Sequence, residues 1–251
     1  MDGVRARFIA NLEPLGIALG PDQAEAFEAY FRLLIEWNRK MNLTAITERA
    51  AVYEKHFYDS LTVAAVAPLA GSPRLVDVGS GAGFPAIPLK IAFPGLRVTL
   101  VDSLAKRVRF LEETVRALGL SDVICLHARA EDAARLAEHR DGYDVATARA
   151  VARLSILNEL CLPFVRPGGL FVAMKGSDVA EEIEEGKYGA SLLGARLREV
   201  KRMTLPEEGA VRHLVVWEKT GPTPARFPRR AGEPARSPLL PDGKKPHTSR
   251  R

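Results

Sequence analysis

The sequence predicts an α/β fold: a mostly parallel, doubly wound sheet with one antiparallel strand, N-terminal helices before it and a basic tail after it. Three observations carry this expectation. From Arg74 onward, short apolar strand-like runs alternate with helix-like segments. Glycines at every second position, Gly79, Gly81 and Gly83, follow the first of those strands directly. The last two strand-like runs are separated only by a Pro206–Gly209 turn, too short for a crossover helix, so they form a hairpin.

The chain divides into 1–70, 71–220 and 221–251. In the first part, Ala26, Phe27, Tyr30, Phe31, Leu34 and Ile35 recur at three- and four-residue steps, which predicts a helix capped by Asp22. A second helix is expected from Val52 to Val66, closing at Pro68. The second part holds the strands, at Leu75–Val78, Val98–Val101, Val123–Leu126, Tyr143–Ala148 and Leu170–Ala173. Amphipathic Ile87–Phe93, then Ser103–Leu118, Ala130–Glu138, Leu154–Phe164 and Val179–Tyr188, supply the helices; strands near Arg196–Met203 and Val211–Trp217 close the pattern. Apolar β runs of this kind are buried on both faces, as in a parallel sheet covered by helices.

Composition narrows the class. A chain of 251 residues, 47% apolar, can bury a full core. No apolar stretch approaches the roughly 20 residues of a membrane span, and the first residues lack a secretory pattern, so a cytoplasmic protein without a membrane partner is expected. Cys125 and Cys161 have no ligand-like spacing and read as buried free thiols, leaving no disulfide-linked partner and no metal site; a monomer is expected. The net charge of +5 is uneven. Residues 221–251 contain eight Lys/Arg against two acids, leaving 28 basic and 29 acidic residues elsewhere. Seven prolines and few apolar residues make that tail extended or disordered. Such an arm suits phosphate contacts, as at Arg229 and Arg230, or is merely solubilising.

The glycine run specifies a ligand. Strand, tight turn and helix start let backbone approach a nucleotide-like molecule. A dinucleotide fingerprint requires glycine where Phe84 stands, and the Gly-Lys-Ser/Thr of a phosphate loop is absent. An acid, Asp77, followed by Gly-x-Gly-x-Gly instead resembles motif I of class I S-adenosylmethionine-dependent methyltransferases, a Rossmann-like fold. In open α/β sheets, ligands lie beyond the carboxyl ends of the strands. There Gly79, Gly81 and Gly83 admit backbone contact, Asp102 can accept ribose hydroxyls, and Ser103 and Leu104 would line the adenosine pocket. Ala130 and Glu131 can meet the adenine edge. Singly, Asp102 and Glu131 are as readily helix caps and Phe84 is core packing; together the strand ends read as one site.

The acceptor is read at the end of the fourth strand. Ala148-Arg149-Ala150-Val151-Ala152 lacks the Asn/Asp-Pro-Pro-Tyr/Phe signature of amino-group methylation and has no Cys nucleophile. Arginine suits the N7/O6 edge of guanine or a neighbouring phosphate. N7 has a free lone pair and loses no proton, so alignment suffices and no strong base is required.

Six blocks now resemble one family. They are Trp37-Asn38 with Asn42-Leu43-Thr44-Ala45-Ile46; His56-Phe57-Tyr58-Asp59-Ser60-Leu61; Asp77 to Pro85; Arg149-Ala150-Val151-Ala152; Pro167-Gly168-Gly169 with Lys175-Gly176; and Pro228 to Pro234. They are similar to the bacterial small-subunit ribosomal RNA guanine-N7 methyltransferases, once called glucose-inhibited division protein B. The resemblance implies methyl transfer from S-adenosyl-L-methionine, with S-adenosyl-L-homocysteine as product, to N7 of one guanine in the decoding region of 16S rRNA, as naked RNA or in the small ribosomal subunit. It implies cofactor contacts at Gly79, Phe84, Asp102 to Leu104, Ala130, Glu131 and Arg149. Lys55 stands where relatives commonly carry Arg, and the extension after Leu240 lies outside the pattern.

Several roles stay open at this level. Asn42, His56, Asp59 and Lys175 are RNA-binding candidates, while His56 and Asp59 equally suit a hydrogen bond across a domain seam. Arg149 suits the acceptor or the cofactor carboxylate, and a positioning role in catalysis is assigned to it. The competing readings are a small-molecule or protein methyltransferase and a non-catalytic RNA-binding module.

Overall fold

The computed structural model describes residues 2–176 and 178–241. Seven strands, β1 Arg74–Val78, β2 Arg97–Asp102, β3 Val123–His127, β4 Tyr143–Arg149, β5 Val165–Lys175, β6 Ala195–Thr204 and β7 Val211–Lys219, form one sheet in the order β3-β2-β1-β4-β5-β7-β6. The first five are parallel to one another. β7 runs antiparallel to both β5 and β6, as the short Pro206–Gly209 turn requires. Strand order reverses between β1 and β4, so the crevice beyond their carboxyl ends is the expected ligand site.

The helices are α1 Gly3–Leu12, α2 Pro21–Met41, α3 Arg49–Val52, α4 Asp59–Leu61, α5 Ala86–Ala92, α6 Ala105–Ala117, α7 Ala130–Ala133, α8 Leu154–Cys161, α9 Ala180–Leu192 and α10 Glu233–Arg236. Several depart from expectation. Asp22 is inside the first turn of α2; Gly20 occupies the cap position and its N–H donates to Gln23 Oε1 at 2.8 Å. The expected Val52–Val66 helix is a mixed path in which a π-helical turn, Tyr53–Tyr58, separates α3 from α4. π-Turns concentrate at functional sites, and this one carries His56. α7 is a single turn, shorter than Ala130–Glu138.

The segment 1–70 does not fold apart from the sheet. Phe8, Phe27, Tyr30 and Phe57 belong to the same buried cluster as Leu75, Val98, Val145 and Val172 on one sheet face. Alternate residues Val76, Val101, Ala146 and Phe171 face the other layer with Leu154, Ile183 and Trp217. Because the N-terminal helices cover it, α5 is buried at all seven positions rather than amphipathic. Its Lys90 Nζ donates to the carbonyls of Pro94 and Leu96, both at 2.6 Å. β3 lies at the sheet edge and is half-exposed, with Ile124 open to solvent, so Cys125 is only partly buried; Cys161 is fully buried.

The tail differs most. Up to Pro241 it packs on the domain instead of standing away: Phe227 and Pro234 are buried, and Arg140 donates to the carbonyls of Thr223 and Phe227, both at 2.8 Å. The expectation for the remaining stretch, 242–251, lies outside the described residues.

Candidate active site

The β1 turn is built on β2. Gly79 and Ser80 donate backbone N–H bonds to the Val101 carbonyl at 2.8 and 3.1 Å, and Gly81 N–H donates to Asp102 Oδ2 at 2.9 Å. Asp102 Oδ1 accepts from Leu104 N–H at 2.9 Å, so this carboxylate bridges two loops while lone pairs remain for a ligand. All three glycines have left-handed backbone, which accounts for their residue type, but their surroundings separate them. A Cβ on Gly81 would meet nothing closer than 3.8 Å; one on Gly83 would lie 2.4 Å from Ile87 Cδ1 and 2.8 Å from the Tyr30 hydroxyl. Gly81 keeps a space open, whereas Gly83 admits α2 to the core. The Tyr30 hydroxyl donates to the Ala82 carbonyl, pinning the turn to that helix.

A cavity of about 280 Å³ opens there, lined by Gly79, Asp102, Ser103, Ala130 and Glu131 from the expected set. Its other walls were not expected: Val151 and Ala152, Ile156 and Leu160 of α8, and Gly232 and Ala235 of the tail. These small or apolar residues give no local signal in sequence. Leu104, 46% exposed, sits beside the cavity at the start of α6. Asp77 lies beneath the turn. Thr147 Oγ1 donates to its Oδ1 at 2.9 Å, but Oδ2 is buried with no hydrogen-bond partner, and burial pushes its carboxyl up to about 7. The cavity's volume, the lone pairs left on Asp102 and the bare backbone of Gly79, where a Cβ would lie 2.8 Å from Val151 Cγ2, fit a polar, nucleoside-sized cofactor.

A second cavity, about 440 Å³, adjoins the first. The four residues after the β4 core divide between them: Arg149 and Ala150 line the second, Val151 and Ala152 the first. Ala150 makes this change of direction with φ 57°, a conformation costing on the order of 1 kcal/mol or more for a residue with a Cβ. His56, Asp59 and Lys175 from the expected set line the second cavity, joined by Lys55, Glu182, Arg212 and His213.

Arg149 organises that wall. Its guanidinium donates to the Lys55 carbonyl and Asp59 Oδ2, both at 3.1 Å, approaches His56 Nδ1 at 3.0 Å, and lies 4.8 Å above the Phe84 ring. Phe84 stacks on His56 with centroids 4.5 Å apart. A guanidinium has no acceptor, so Nδ1 accepts and the ring proton is on Nε2, 2.8 Å from Thr44 Oγ1. Burial, with Arg149 adding to it, holds the imidazole down to about 3. His56 and Asp59 therefore meet across the seam through Arg149, not through each other. Asp59 also pairs with Arg212 at 3.5 Å, and burial raises its carboxyl against the pull of both arginines. Lys175 Nζ is held by Glu182 at 2.6 Å and the Ala152 carbonyl at 2.7 Å, not left solvated.

Three further candidates sit apart from these contacts. Asn42 is exposed at the left-handed C-cap of α2, which itself accounts for an asparagine. Arg229 is locked to buried Glu159, so its guanidinium is not free for phosphate. Arg230 is exposed. Among the described residues there is no cluster of metal-ligating side chains and no helix long and apolar enough to cross a membrane.

Comparison with known proteins gives concordant results. The sequence model of the family described as GidB, rRNA small subunit methyltransferase G, matches residues 23–215. The ribosomal RNA small subunit methyltransferase G of Bacillus cytotoxicus is 51% identical over 233 residues, covering 93% of this chain and 98% of that protein. Its counterpart in Brevibacillus brevis is 48% identical over 236 residues, covering 94% and 99%. Among solved structures, M. jannaschii TYW2 in complex with AdoMet superposes with a TM-score of 0.51 at 18% identity, covering 70% of this chain and 79% of that one. A SAM-dependent O-methyltransferase from Thermotoga maritima gives 0.51 at 16% identity, covering 76% and 72%. These distant likenesses establish the fold.

Proposed function

The chain belongs to the rRNA small subunit methyltransferase G family, and from that premise we propose that it methylates N7 of one guanine in 16S rRNA, in the decoding region of the small subunit, using S-adenosyl-L-methionine. The observation that carries this reading is the pair of adjoining cavities parted by Arg149–Ala152, one suited to a nucleoside-sized cofactor and one lined by Lys55, Arg149, Lys175 and Arg212.

Gly79, Gly81, Asp102, Ser103, Ala130 and Glu131 would hold S-adenosyl-L-methionine, which supplies an electrophilic methyl group. The acceptor cavity supports N7 through the way its charged side chains are paired. His56 is held well below its usual range with its free nitrogen facing a guanidinium, and Asp59 is engaged by Arg149 and Arg212, so an acceptor that gives up no proton asks least of this wall. N7 attacks with a lone pair and loses no proton; what it requires is alignment and exclusion of water. Methylation leaves the base cationic. Arg149, Arg212 and Lys175 are already paired with Asp59 and Glu182, which lessens their repulsion of that product. Arg149 acts as a positioning residue, holding the wall between donor and acceptor.

The test is incubation of the protein and labelled cofactor with 16S rRNA and with small subunits from cells lacking the activity, followed by borohydride and aniline cleavage. A single new cleavage at one guanine is expected. Transfer only to protein or to small molecules would overturn the reading.

A further inference from the structure

The C-terminal segment is basic enough to suggest RNA, yet its most elaborate contacts surround the cofactor cavity. Arg229 donates to the Glu159 carboxylate from its backbone N–H at 2.7 Å and from Nε at 2.9 and 3.0 Å, and Glu159 is fully buried. Glu159 belongs to α8, whose Ile156 and Leu160 line that cavity. Three residues on, Gly232 N–H donates at 2.7 Å to Oε1 of Glu131, itself a cavity residue. Arg135 secures the Pro228 carbonyl, and Phe227 is in the core. The segment is thus fastened at Glu159 and Glu131, two points that flank the cavity, and Gly232 and Ala235 complete its wall.

We propose that residues 227–236 are a strap that closes the cofactor cavity, so that the C-terminal segment sets cofactor affinity and release instead of following RNA. The charge pattern has a physical explanation in these terms. Arg229 is consumed by a buried acid, where a bidentate guanidinium is the suited partner. Gly232, at φ 79°, presents a bare N–H to Glu131. This rests on assigning the cavity to S-adenosyl-L-methionine, and the experiment separates the two.

Ala235→Phe enlarges an exposed wall residue without touching the core, so the variant should fold. Calorimetric titration of the full chain with S-adenosyl-L-methionine should show at least tenfold weaker binding, with an unchanged thermal midpoint of the free protein and unchanged affinity for 16S rRNA in the absence of cofactor. Asp102→Ala is the control on the cavity. If Asp102→Ala loses cofactor affinity and Ala235→Phe retains it, the strap is refuted while the cavity stands; if both retain it, the cavity assignment itself has failed. Weakened RNA binding with intact cofactor binding would make the segment an RNA surface and likewise overturn the proposal. A second measurement uses exposed Arg230 and Arg236 as trypsin sites in the unaltered chain. Cofactor at saturation should slow cleavage there severalfold; equal rates with and without it would refute closure.

Discussion

Arg149, at the end of β4, donates to Asp59 of the N-terminal helical unit at 3.1 Å, and this bond joins the two parts of the molecule at the boundary between the two cavities. Both side chains are largely buried, 15% and 6% exposed. Breaking a buried pair by removing one partner strands a charge, which typically costs about 3–5 kcal/mol. Here Arg212 remains to answer part of it.

Arg149→Ala is therefore expected to lower kcat by at least about a hundredfold while costing stability at the lower end of that range. Arg149→Lys should recover some stability but little activity, because an ammonium does not reproduce the fork that reaches Lys55, His56 and Asp59 together. Single-turnover rates and denaturant midpoints distinguish the two; full activity in Arg149→Lys would remove the positioning role.

The glycine turn should separate by substitution. Gly81→Val is expected to weaken cofactor binding more than tenfold, since its Cβ enters open space at the strand end, with a stability cost that comes from its left-handed backbone and not from a collision. Gly83→Ala is expected to destabilise the whole protein by about 1–3 kcal/mol, because its Cβ would collide with Ile87 and Tyr30. Calorimetric binding and thermal midpoints check both, and reversal of the two phenotypes would disprove the division of labour.

His56 makes a prediction about pH. Its folded value is depressed from 6.5 to about 3, so its contribution to stability is complete above pH 6.5 and is lost as pH falls through the window toward 3. His56→Gln should flatten stability between those limits by up to several kcal/mol, each unit being worth about 1.4 kcal/mol. The pH profile of kcat/KM should lack an inflection near 6.5 attributable to this residue. An inflection there that vanishes in His56→Gln would restore a general base to the mechanism.

Asp77 acts in the opposite direction. Its folded value is raised from 3.8 to about 7, so its contribution is present below 3.8 and lost as pH rises to 7. Relative to the unaltered chain, Asp77→Asn should gain stability across that window, by up to about 4 kcal/mol at neutral pH. Urea unfolding from pH 4 to 8 measures it; a difference independent of pH would show that the buried carboxyl is ionised throughout.

Local pattern sufficed for much of this molecule. Alternation of strand and helix, the hairpin turn and the glycine spacing are short-range properties, and each was met by the β1–β7 sheet, with β7 its antiparallel strand. Gly79, Asp102 and Glu131 could be placed on one site because strand ends converge in any doubly wound sheet. Tertiary structure decided what depends on packing between distant segments. The burial of α5 comes from helices laid over it, the splitting of Gly81 from Gly83 from where Tyr30 lands, and the capture of His56 and Asp59 by Arg149 from a contact some 90 residues away in sequence. The tail is the sharpest case. Its composition, rich in proline and arginine, reads as a free arm, because charge and propensity carry no information about a buried acid elsewhere. Only the fold brings Glu159 and Glu131 to Arg229 and Gly232, and a buried carboxylate requires such partners wherever the chain can supply them.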